Sequence, residues 1–85
     1  MQNTAEIQKK TLGFNVPDIN PHKRMGRLVY MARVSQGKSR EELARELNVS
    51  RIAVRFWEIG ERSIDGVMLG RLAEALNQDV NLFWS

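Results

Sequence analysis

The chain has 85 residues, 42% of them apolar, and a formal charge of +3, which suits one small globular domain and excludes a chain disordered by composition. Cysteine is absent and histidine occurs once, at His22, so disulfides, thiolate metal sites and a histidine metal cluster are excluded, and no cofactor or metal is expected. No apolar run approaches the ~20 residues of a membrane span, and MQNTAEIQKK lacks the apolar core of a signal peptide, so the expectation is a cytoplasmic protein.

Residues 1–20 read as an N-terminal arm and 21–85 as the domain. Within the arm, 3–10 can form a turn or two of helix capped by Asn3 or Thr4. In TLGFNVP, Leu12, Phe14 and Val16 alternate with Gly13 and Asn15, which is strand periodicity. Pro17 then ends it, predicting a short edge strand or extended arm over 11–16. Asn20-Pro21 starts the first helix, with Asn as cap and Pro in the first turn. It runs to about Gln36 and stops at Gly37. Met25, Val29 and Ala32 form its core face. His22, beside Lys23 and Arg24, is expected to be solvated.

Ser39 caps the second helix, and Glu42 three residues on completes a capping box. Leu43, Ala44 and Leu47 face inward. Asn48 tolerates the left-handed backbone that ends a helix, and Ser50 caps the next at once. LNVS is therefore a tight turn with Val49 plugging the corner. The third helix spans about 51–59 and ends at Gly60. A fourth starts near Ser63 or Asp65 and reaches Leu76, with Leu69, Leu72, Ala73 and Leu76 inward. Gly66 and Gly70 weaken it, by around 1 kcal/mol each relative to Ala. Asn77 repeats the role of Asn48, Asp79 caps again, and VNLFW makes a short fifth helix. The class is all-α, with five helices and the extended arm.

Two short helices joined by a three-residue turn make a helix-turn-helix. Ala44 must be small where the next helix crosses, and Val49 and Val54 must be apolar to fix the crossing. Residues 21–62 also hold ten Lys/Arg against five Asp/Glu, so the excess positive charge lies on this motif, as suits a polyanionic partner. The segments S-x-E-E-L-A-x-x-L-N-V-S (39–50), W-E-x-G (57–60) and L-A-x-A-L-N (72–77) together resemble the phage repressor/Cro, or xenobiotic-response-element, family of DNA-binding domains. The resemblance runs from about Met25 to Phe83.

The resemblance implies that the third helix enters the major groove of double-stranded DNA. At ~100° per residue, Ala53, Val54 and Trp57 share one arc, Arg51, Ile52 and Arg55 fall opposite, and Phe56 lies on the flank. By matching positions, Arg51, Ile52 and Phe56 are expected to reach bases, and Arg55 is grouped with them. Arg51 can read guanine, while Ile52 and Phe56 can pack on a thymine methyl. Phe56 departs from the family, which favours polar or small residues there. Arg40, Lys38, Arg62 and Ser50 are the expected phosphate contacts. Arg33 and Glu58 match a structural ion pair between the first and third helices. Glu58 has no second acid or base beside it, so no enzyme is expected.

The first helix also carries Leu28, Tyr30, Met31 and Val34, a second apolar face that needs a cover. The arm, through Leu12, Phe14 and Val16, can supply one, either within the chain or across a two-fold axis. Leu82, Phe83 and Trp84 form an exposed C-terminal alternative. The expected function is a transcriptional regulator, a repressor or an activator, bound as a homodimer to an inverted repeat. The alternative is a protein-interaction module of antitoxin or anti-regulator type, with Ile52 and Phe56 in a protein interface.

Overall fold

The computed structural model describes residues 20–84. They form four α-helices, α1 (Pro21–Ser35), α2 (Arg40–Leu47), α3 (Arg51–Glu58) and α4 (Gly66–Ala75), then a 3-10 helix, Val80–Trp84. The described residues contain no strand, and the class is all-α. The predicted helix over 3–10, the strand over 11–16 and the arm residues Leu12, Phe14 and Val16 lie outside the described residues. The predicted fifth helix is a single 3-10 turn, too short to settle into α geometry.

Helix ends follow their capping chemistry. Asn20 Oδ1 accepts from Lys23 N–H at 2.8 Å, with Pro21 leading α1. Ser39 Oγ accepts from Glu42 N–H at 3.0 Å, and Glu42 Oε1 accepts from Ser39 N–H at 2.7 Å. Asn48 takes φ 59° and ψ 46°, and the Val49 N–H donates to Ala44 O at 3.0 Å, closing α2. Ser50 Oγ accepts from Ala53 N–H at 3.0 Å, so α3 starts with only three residues between it and α2. Asp65 caps α4, and Asn77, at φ 57°, turns the chain toward the 3-10 helix.

Val29 and Ala32 of α1, Leu43, Ala44 and Leu47 of α2, Val54 and Trp57 of α3, and Leu69, Leu72, Ala73 and Leu76 all point into one core. Each large side chain buried there stabilises the fold by roughly 1.5–3 kcal/mol. Phe83 joins them at 2% exposure. This corrects the expectation that Phe83 is exposed and available for a dimer contact: α1 and α4 both pack against the 3-10 helix and enclose it. Leu82 is partly buried against the same core, and Trp84 stays exposed. Leu28 is corrected likewise: it packs against the core rather than joining Tyr30, Met31 and Val34, which are exposed.

One close approach positions α3. Gly26 is buried in α1, and a Cβ there would lie 2.7 Å from Glu58 O and closer still to Trp57 O. The two helix backbones meet here with no side chain between them, a contact open only to glycine.

Candidate nucleic-acid interface

α3 presents two opposed faces. Ala53, Val54, Trp57 and Glu58 are buried, while Arg51, Ile52 and Arg55 are exposed, Ile52 at 57%. This face and the first turn of α2 line one cleft of about 450 Å³, formed by Arg33, Ser39, Arg40, Glu41, Arg51, Ile52 and Arg55. Among the described residues, no carboxylate lies in ion-pair range of Arg51 or Arg55. Their charge is thus presented outward, beside an apolar side chain.

Behind this face, one buried carboxylate serves two arginines. Glu58 Oε2 accepts from Arg33 Nε at 2.6 Å and its Oε1 from an Arg33 terminal nitrogen at 3.1 Å. Arg33 also donates to Lys38 O at 2.7 Å. Glu58 Oε1 accepts in addition from Arg40 Nε at 2.8 Å. The Arg40 side chain keeps about a third of its surface exposed. Arg40 therefore lines the cleft with part of its surface open while its Nε is anchored from behind. The buried ends of this network are paired and hydrogen-bonded, as a buried charge requires.

The other expected phosphate contacts differ in disposition. Lys38 is turned away from the cleft. Its ammonium donates to Glu46 Oε1 at 2.9 Å and to Ala75 O at 2.7 Å, which ties α2 to the end of α4. The ammonium of this expected phosphate contact is thus engaged by a helix-end carbonyl and a carboxylate instead of lining the cleft. Ser50 is occupied as the cap of α3. The positive end of α2 is offset by Glu41 and Glu42 in its first turn. The Glu42 carboxyl is held below its ordinary range, chiefly because it accepts the Ser39 backbone N–H.

Arg62 is brought back to the flank of α3 by a path the sequence does not advertise. Gly60 turns the chain at φ 79°. The N–H groups of Glu61 and Arg62 then both donate to Phe56 O, at 2.9 and 3.2 Å. The loop folds back and sets the Arg62 guanidinium over the Phe56 ring, 5.3 Å from its centre. Phe56 is half-buried, in contrast to the exposed Ile52.

Three residues with structural weight are not among those picked out from the sequence. Gly26 shares a helical face with Val29 and Arg33, and its place among buried positions was the available signal. Arg71 donates to Leu47 O at 2.7 Å and closes the end of α2. Ile59 borders a groove with Tyr30 and Met31; its i+7 spacing from Ile52 and i+3 spacing from Phe56 was the available signal.

A helix-turn-helix family profile matches residues 29–83. Among solved structures, the chain is similar to the restriction-modification controller protein C.AhdI from Aeromonas hydrophila. That similarity has 28% identity over 72% of this chain and 92% of that one, with a TM-score of 0.68. It is similar in fold to the clp gene regulator ClgR from C. glutamicum, at 22% identity over 76% of this chain and 84% of that one, TM-score 0.73. No curated protein matches the chain. Among the described residues, no helix is long and apolar enough to cross a membrane. The matched segment spans the whole of α2, α3 and α4, and the protein belongs to the helix-turn-helix family of DNA-binding transcriptional regulators, of the XRE type.

Proposed function

We propose that the protein regulates transcription by placing α3 in the major groove of an inverted-repeat operator, as a homodimer. The observation that carries this reading is the exposed face of Arg51, Ile52 and Arg55, continuous through one cleft with Arg40 at the start of α2. Arg51 reads a guanine edge, and Ile52 packs on a thymine methyl. Arg55 extends the same contact, while Arg40 and Arg62 grip phosphate at its two ends. A single helix of eight residues reads few base pairs, so two copies give the specificity that one lacks. The similarity to a controller protein and to a gene regulator supports this use of the face.

We propose further that the N-terminal arm makes the dimer contact, pairing with its two-fold mate over Leu28 and Met31 of α1, of which Met31 is exposed; the rival contact is the C-terminal end with Leu82 and Trp84. Selection of bound duplexes from a random pool tests the reading. Recovery of a symmetric consensus is expected. Failure to enrich any sequence, with no salt-dependent affinity for duplex, would favour the protein-interface alternative for Ile52 and Phe56.

A further inference from the structure

Phe56 is the residue of the interface that is neither fully exposed nor part of the core. An aromatic ring on the flank of α3 neither donates to a base nor belongs to the core: it is half-buried, yet is not part of the apolar cluster that unites the helices. What it does touch is Arg62. Two backbone N–H groups donate to its carbonyl, and the Arg62 guanidinium lies over its ring at 5.3 Å. Among the described residues, no carboxylate is in ion-pair range of Arg62. An arginine on a loop has many rotamers to lose before it can hold a phosphate. A ring face removes much of that freedom while leaving the edge of the guanidinium, with its N–H donors, open.

We propose that Phe56 is a positioning residue for DNA binding, whose ring holds the Arg62 guanidinium ready for a backbone phosphate, and that it contributes to affinity without choosing a base. The proposal rests on the DNA-binding reading above. It gives the interface two prepared arginines: Arg40 is steadied from behind by the Glu58 carboxylate, and Arg62 by an aromatic face.

The experiment measures affinity over a series of salt concentrations for a duplex recovered by selection and for a scrambled duplex of the same length. The proteins are the wild type, Phe56→Leu, Phe56→Tyr, Arg62→Ala and the Phe56→Leu/Arg62→Ala double variant. Phe56→Leu should weaken both duplexes alike, by about 2- to 5-fold, the usual strength of an exposed cation–π contact. Arg62→Ala should lower the salt slope by about 0.9, one phosphate contact. The double variant should match Arg62→Ala alone, because the ring acts only through the arginine. Phe56→Tyr, which retains a ring, should bind as the wild type does. A loss confined to the selected duplex would mean that Phe56 reads a base, and losses that multiply in the double variant would mean that it acts without Arg62. Either outcome, or a Phe56→Tyr variant as weak as Phe56→Leu, overturns the proposal while the DNA reading stands. A wild type with no salt-dependent affinity for either duplex overturns the DNA reading itself.

Discussion

Glu58 illustrates how one side chain can belong to the core and to the surface together. Its carboxylate is almost fully buried and accepts from Arg33 and from Arg40. Glu58→Gln retains the shape but leaves the Arg33 guanidinium buried without its counter-charge, and should destabilise the fold by about 3–5 kcal/mol in urea unfolding. An unchanged midpoint would mean that the pair contributes nothing to folding. Arg51, exposed and with no carboxylate in ion-pair range among the described residues, should behave differently, with no change in unfolding and a change in DNA affinity. Arg51→Ala should lose about 1–3 kcal/mol on selected duplex and relax choice at one base position, whereas Arg40→Ala should weaken selected and scrambled duplex alike and lower the salt slope. Equal losses by Arg51→Ala on both duplexes would remove it from base reading.

At the scale of the helices, two glycines make opposite predictions. Gly26 of α1 meets the carbonyl oxygens of α3, whereas a Cβ at Gly70 of α4 would meet nothing within 4 Å. Gly70→Ala should therefore raise the unfolding free energy by up to about 1 kcal/mol through helix propensity. Gly26→Ala should lower it by about 1–3 kcal/mol despite the same propensity gain, because two backbones must part. A stabilised Gly26→Ala would show that the helices separate easily. The capping box of α2 sets a pH dependence. Glu42 titrates below its ordinary 4.5 because it accepts the Ser39 N–H. The folded state thus binds fewer protons there than the unfolded chain. The stability this provides is complete above about pH 4.5 and is lost as pH falls through the lowered value. Relative to Glu42→Gln, the wild type should lose its margin as pH falls below about 4.5 in thermal unfolding; a constant margin would rule the box out. The helix boundaries were legible because caps are local: Asn20, Ser39, Ser50 and Asp65 each bond within three residues. The paths of Lys38 to Ala75 and of Arg62 over Phe56 were not, because they depend on where a loop returns in space. Phe83 was misjudged for a related reason: five residues of 3-10 helix carry too short a period to say which face turns inward.

For the molecule as a whole, in the proposed homodimer the separation of the two copies of α3 would decide whether they reach successive major grooves, ~34 Å apart. If the arm makes the dimer, a protein lacking residues 1–18 should run as a monomer in sedimentation or light scattering at a concentration where the full chain is dimeric. A truncated chain that remains dimeric would move the contact to the C-terminal end, where Trp84 is exposed but Phe83 is already spent on the core. The meeting of Gly26 with the carbonyls of Trp57 and Glu58 bears on that geometry too. Where side chains separate two helices, their distance drifts with every change of residue volume. Here the Gly26 backbone lies directly against peptide carbonyls and acts as a mechanical stop, fixing the depth at which α3 sits against α1. Trimming the core at Val29 or Val54 should then lower the melting temperature and leave the recovered operator sequence the same, so that thermal tolerance and DNA preference can drift apart in descent.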